Sequence, residues 1–68
     1  MRVVVNGEDR AVAEDATVAG LLHSMNIEAP ARGVAVARNG DVVLRGEWDR
    51  MRLLDGDRVE VLHAVQGG

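Results

Sequence analysis

The side chains of this 68-residue chain that could act as nucleophiles, acid–base groups or metal ligands are few and scattered. His23 and His63 stand forty positions apart, with no carboxylate or thiol at ligand spacing, and metal sites need clustered ligands. Asp55-Gly56-Asp57 resembles the start of a calcium loop but lacks the later ligands and the terminal Glu, so it reads as a tight turn. Ser24 is the only serine and has no nucleophile motif around it. Gly33, Gly40 and Gly46 do not make a phosphate loop. Cysteine is absent, which removes disulfides, thiolate metal sites and a thiol nucleophile. All eight basic residues are Arg, so there is no lysine for a Schiff base or an isopeptide bond.

What remains is the main chain. Gly67 and Gly68 follow a strong final strand signal and close the sequence. Without Cβ atoms, such a tail passes through a channel too narrow for other residues. Four extended residues past Ala64 reach roughly 13 Å, at about 3.3 Å each. The tail could therefore enter a partner's deep site while the globular body stays outside. Its reactive group would be the Gly68 carboxylate, a poor acyl donor because its leaving group is oxide. Adenylation by ATP would make a mixed anhydride with AMP as leaving group, open to a sulfur or amine nucleophile. Such a chain is a carrier, and its catalysis belongs to partners.

The elements that must hold this tail are legible from period and punctuation. Residues 2–5 are valine-rich, and Asn6-Gly7 is a hairpin signal because both residues tolerate φ > 0. A weaker strand is expected over 8–13, with Val3, Val5 and Val12 on one face. Thr17 can cap a helix, and Val18, Leu21, Leu22 and Met25 form one apolar stripe, predicting a helix over 18–26. Gly20 lies off that stripe. Ala29-Pro30 marks a loop. Residues 33–38 alternate, with Val34 and Val36 opposite Ala35 and Ala37. Asn39-Gly40 is a second hairpin turn, and a strand is expected over 41–45. Residues 46–52, with Trp48, read as irregular or a single turn. After the turn at 55–57 the last strand spans 58–65, Val59 and Val61 inward. The order is β-β-α-β-β-turn-β. One helix with one apolar stripe covers one face of one sheet. The expected fold class is α+β, a ubiquitin-like β-grasp with a mixed sheet of four to five strands and one main helix. The domain spans 1–65, followed by a flexible 66–68 tail.

Length and composition exclude other classes. A chain this short holds one small core and no deep pocket for a drug-sized ligand. Twelve residues are valine and one, Trp48, is aromatic, which favours a sheet with an aliphatic core. A net charge of -3 lacks the basic face of a nucleic-acid binder. No apolar run approaches the ~18 residues of a membrane span. Met1 is followed by Arg2 and a short valine run, not by a signal-peptide pattern. The expected location is the cytoplasm, and the expected free state a monomer.

The chain resembles the ThiS family, the sulfur carriers of the thiamine pathway, over essentially its whole length. RVVVN at residues 2–6 is similar to the family's first strand, and TVAGLL at 17–22 to its helix start. VAVARNG at 34–40, VVLR at 42–45 and Trp48 resemble the central block, where the family usually has V-P-R-x-x-W. DGDRVEV at 55–61 and Gly67-Gly68 resemble its end. The departures are Leu44, where proline is usual, and Arg38, where many relatives are apolar.

The resemblance implies that a ThiF-type adenylyltransferase uses Mg-ATP to adenylate Gly68, with no cofactor bound permanently to the chain itself. Sulfur from a cysteine desulfurase or another donor then makes the Gly68 thiocarboxylate, which thiazole synthase draws on. The missing cysteine fits, since no side chain could carry the sulfur. Gly68 is the covalent carrier and Gly67 gives access. Gln66 and Val65 are the segment partners grip, and Ala64 and Leu62 are a candidate docking patch on the uncovered sheet face. Trp48 reads as a lid on a small core, and Arg45 as an anchor for a loop or an acid. Other readings of the same tail are a carrier for molybdopterin or another sulfur metabolite, a ubiquitin-like modifier, and an interaction module with an incidental Gly-Gly. Deleting Gly68 separates the carriers and the modifier, which lose all function, from the module, which loses none.

Overall fold

The structure, a computed structural model, describes residues 1–27 and 33–63. The loop expected at Ala29-Pro30, the strand end at Ala64 and Val65, and the tail 66–68 lie outside the described residues. The elements are β1 (Arg2–Val5), β2 (Glu8–Ala11), α1 (Val18–Ser24), β3 (Val34–Arg38), β4 (Asp41–Val43), a 3₁₀ turn (Arg45–Glu47) and β5 (Arg58–His63). The described strands form one sheet in the order β2-β1-β5-β3-β4. β1 runs parallel to β5, and the other neighbours are antiparallel. This is the expected β-grasp: five strands, mixed, with one α-helix.

Both Asn-Gly turns form as the residue types demand. Asn6 and Gly7 have φ of 50° and 83°, and Asn39 and Gly40 have 51° and 89°, the left-handed values a two-residue type I′ loop needs. Val5 pairs with Glu8 and Arg38 with Asp41 directly across them.

Alternation then sorts the strands into two faces. Val3, Val5, Val36, Val43, Val59 and Val61 are buried with Val18, Leu21 and Leu22 of α1 and with Ile27, Trp48 and Leu53. Val12 joins this core from its edge although it lies past β2. The ladder expected to 13 ends as a strand at Ala11, and one more pair follows, with Val12 N–H donating to Met1 O and the Met1 amine to Val12 O.

α1 stops two residues before the expected 26. Asn26 turns left-handed (φ 64°), its N–H donating to His23 O and that of Ile27 to Leu22 O. This is a Schellman ending with Asn in the glycine position, and Ile27 is buried beside the helix's apolar stripe. At the other end Thr17 caps as expected, its Oγ1 accepting from Gly20 N–H at 3.1 Å. The remaining free amides of the first turn are met from outside. Val18 donates to Met51 O and Ala19 to Trp48 O, so residues 48–53 hold the helix start.

β4 is shorter than the expected 41–45, because after Val43 the chain coils through the 3₁₀ turn. That turn swings Trp48 into the core at 2% exposure, with its indole N–H donating to Val43 O at 3.1 Å. Trp48 is thus a core residue, as read. β3 begins at Val34, since Gly33 has φ 73°. Among the described residues no helix is long and apolar enough to cross a membrane.

Candidate functional site

Of the residues singled out for function, Leu62 lies within the described structure. Gly68, Gly67, Gln66, Val65 and Ala64 lie outside it. β5 carries Leu62 on the face away from the helix, at 66% exposure. Cross-strand partners share a face, and the register sets Leu62 beside Ala35 of β3 and Ala37 between Glu60 and Val42. Val42 is 75% exposed. The result is a short apolar strip across β5, β3 and β4. It borders a shallow open groove lined by Gly33, Val34, Ala35, Arg45, Leu62 and His63. The groove lies at the end of β5, where the chain runs on toward residue 64.

Arg45 reaches this groove with its guanidinium 6.0 Å from the centre of the Trp48 ring, a cation–π distance. It is therefore tied to the loop that closes the core, in line with an anchoring role. His63 is exposed at the groove's edge.

The alternative chemical sites dissolve into structure. His23 sits on α1 and His63 at the end of β5, and among the described residues no three His, Cys, Asp or Glu side chains gather to hold a metal. The Asp55-Gly56-Asp57 turn uses its acids on the chain's own donors. Asp55 accepts from Arg2 N–H at 2.8 Å, and Asp57 from Leu54 N–H at 2.7 Å. Ser24 Oγ donates back to Leu21 O at 2.6 Å.

Sequence reasoning missed Asp57 as a buried charge. It is 5% exposed, also accepts from Asn39 Nδ2 at 3.0 Å, and forms an ion pair with Arg38 Nε at 3.2 Å. A buried carboxylate is tolerable only when paired and hydrogen-bonded, and here two hydrogen bonds and the Arg38 ion pair meet it. The departure noted at Arg38 thus has a structural use, joining the end of β3 to the turn before β5. A charged residue in both segments was the one available signal.

Two main-chain clamps also went unread. Asn6 Oδ1 accepts from Val61 N–H at 2.8 Å and Asn6 Nδ2 donates to Val61 O at 3.2 Å. Asn39 Oδ1 accepts from Arg58 N–H at 2.9 Å. Asn39 grips β5 at its first residue, and Asn6 grips it at Val61, two residues before His63.

Comparison with known proteins agrees with this architecture. The model of the ThiS family matches residues 3–68. The crystal structure of the thiamine biosynthesis protein ThiS from Geobacter metallireducens superposes with a TM-score of 0.81 at 38% identity, covering all of both chains. A solution structure of a thiamine biosynthesis protein from the same organism gives 0.80 at 38% identity, covering all of this chain and 88% of that one. Two curated relatives are named thiazole synthase. That of Paramagnetospirillum magneticum is 34% identical over all 68 residues and that of Magnetococcus marinus 38%. The chain spans only 20% of the length of each.

Proposed function

The chain belongs to the ThiS family, and we propose that it carries sulfur for thiamine synthesis as a thiocarboxylate on Gly68. The observation that carries this reading is the reach of the family match, which runs to residue 68 and so takes in Gly67 and Gly68. The fold supports it, because β5 (Arg58–His63), the last described element before that end of the sequence, lies beside an exposed apolar strip.

In the proposed cycle a ThiF-type adenylyltransferase binds Mg-ATP, and the Gly68 carboxylate attacks the α-phosphorus. Pyrophosphate leaves, and Gly68 becomes an acyl adenylate. Hydrosulfide attacks the carbonyl, and AMP leaves with the C–O bond's electrons; where the donor is a desulfurase persulfide, its terminal sulfur attacks instead, and a thiol reductant supplies the two electrons that cleave the resulting acyl disulfide. The product is the thiocarboxylate. The chain is the substrate in each step, and ATP and Mg belong to the partner. The ATP requirement places this work in the cytoplasm.

Thiazole synthase is the proposed acceptor. In the two curated relatives of that name, a region similar to this whole chain is part of a longer polypeptide. Parts joined on one chain act at high effective concentration toward each other. Leu62 and Ala64 are proposed to meet the partner, with Val65 and Gln66 gripped and Gly67 threading the narrow channel.

The test is the intact mass after incubation with a ThiF-type enzyme, Mg-ATP and sulfide. The expected gain equals one sulfur replacing one oxygen, absent without ATP and absent after deletion of Gly68. No gain, with an enzyme shown to be active on another carrier, would sink the proposal and favour an interaction module. Amide bonds to a target protein would favour a modifier.

A further inference from the structure

We propose that Asn6 is a positioning residue for the tail, a role that rests on the carrier reading above. β1 pairs with β5 at only two positions, Val4 with Arg58 and Val5 with Val59. At Asn6 the main chain turns away toward β2 with φ 50°, after its N–H has donated to Val59 O at 2.9 Å. The side chain then continues the ladder. Its carboxamide is a planar acceptor–donor pair like a peptide group, and it takes Val61 N–H at 2.8 Å while giving Nδ2–H to Val61 O at 3.2 Å. Asn6 supplies Val61 with the bonds a further residue of β1 would have made.

On its other side β5 is paired with β3 through Val36–Val61, Ala35–Leu62 and Val34–His63. Among the described residues Val61 is therefore the last point of β5 held from both sides, and one of those holds is a single side chain. Gly68 lies seven residues beyond it. Loss of the clamp lets β5 fray back toward Val59, so the partner must order a longer segment to seat Gly68. That cost falls on ground state and transition state alike, which raises KM and leaves kcat unchanged.

Asn39 provides a matched control. It forms the same kind of turn (φ 51°) and grips the same strand, but at Arg58, the end remote from the tail. Gly is compatible with either turn, so Asn6→Gly and Asn39→Gly each remove a clamp and keep the hairpin.

The experiment measures ATP-dependent pyrophosphate release by a ThiF-type enzyme against concentration of the full chain, with amide hydrogen exchange of each variant alongside. For Asn6→Gly we expect KM to rise about tenfold with kcat held within about twofold, and exchange to quicken at Val61, Leu62 and His63. Asn6→Asp keeps the acceptor and loses the donor, and its KM should fall between. Asn39→Gly should lower the melting temperature comparably, with KM within about twofold of wild type. An unchanged KM in Asn6→Gly, or an equal rise in Asn39→Gly, overturns the positioning role while leaving the carrier reading standing. Wild-type protein that releases no pyrophosphate overturns the carrier reading, and the positioning role with it.

Discussion

Val61 and Leu62 are chain neighbours on β5 that face opposite sides of the same sheet. Val61 is 6% exposed and packs in the cluster with Val36, Val59 and the α1 leucines, whereas Leu62 is 66% exposed beside Ala35. The covered face accounts for the fold, and every apolar side chain on it has neighbours that share its burial. Among the described residues, the open face keeps Leu62 and Val42 mostly in water. In a chain of 68 residues, where stability totals about 3–10 kcal/mol, apolar surface left in water is burial forgone. The difference teaches that one face holds the fold together, while the other is left open and is the face proposed above to meet a partner. Substitutions should therefore sort cleanly between stability and partner kinetics.

Trp48 gives the largest separation. It closes the covered face, and its indole N–H is bonded to Val43 O. Trp48→Ala should cost about 3–5 kcal/mol, a third or more of the total stability. Urea titration followed by far-UV circular dichroism would show a missing or greatly lowered transition. A variant that unfolds near the wild-type midpoint would mean the core does not depend on its one aromatic residue.

Asp57 comes next. It links the covered face to the turn before β5 through Arg38, Asn39 and the Leu54 amide. Asp57→Ala leaves those donors without an acceptor and should cost about 2–3 kcal/mol. The Arg38→Ala variant should lose less, since the Leu54 and Asn39 bonds to Asp57 persist. A double-mutant cycle on chemical denaturation checks this, and additive losses would show that the pair is not coupled.

The neighbours themselves make the sharpest comparison. Val61→Ala should cost about 1–3 kcal/mol through lost burial and a cavity. Leu62→Ala should stay within about 0.5 kcal/mol of wild type and weaken adenylation through a raised KM. Melting curves and steady-state kinetics on the same two proteins decide it. A Leu62→Ala variant that melts early, or reacts with unchanged KM, would break the division of labour between the faces.

What the sequence made legible was local. Each Asn-Gly pair announces a two-residue hairpin because the chemistry of the turn lies in those two residues. The helix was legible from its stripe and from Thr17, yet its end was set two residues late. Met25 continues the apolar spacing while Asn26 has already turned left-handed, and a spacing rule does not register that turn. β4 was drawn too long because residues 41–45 look extended, whereas the demand to bury Trp48 coils the chain after Val43. The Asp57–Arg38 pair and the Asn6 grip on Val61 join residues 19 and 55 positions apart. Such contacts follow from the finished topology and not from any local pattern. At the candidate site, Leu62 could be assigned to the open face by counting alternation along β5. The strip it forms with Ala35 and Val42 required the order of the strands.

Leu44 gives the smallest effect and tests the boundary between the faces. The resemblance to the ThiS family marks it as the place where proline is usual. Here the backbone stands at φ -65° and ψ 144°, within the range a pyrrolidine ring imposes. The residue before it, Val43, is in a strand, the conformation proline favours in its predecessor. The Leu44 side chain is 69% exposed, so its removal opens no cavity. Leu44→Pro should therefore stabilise the fold by about 0.4–1 kcal/mol, mainly by narrowing the unfolded ensemble. At this chain length that corresponds to a melting temperature higher by roughly 2–8 °C. Adenylation kinetics should not change if Leu44 lies outside the docking strip, and KM should rise if the strip extends from Val42 to the residue before Arg45. A lowered melting temperature would instead show that the Leu44 N–H is needed where β4 gives way to the 3₁₀ turn.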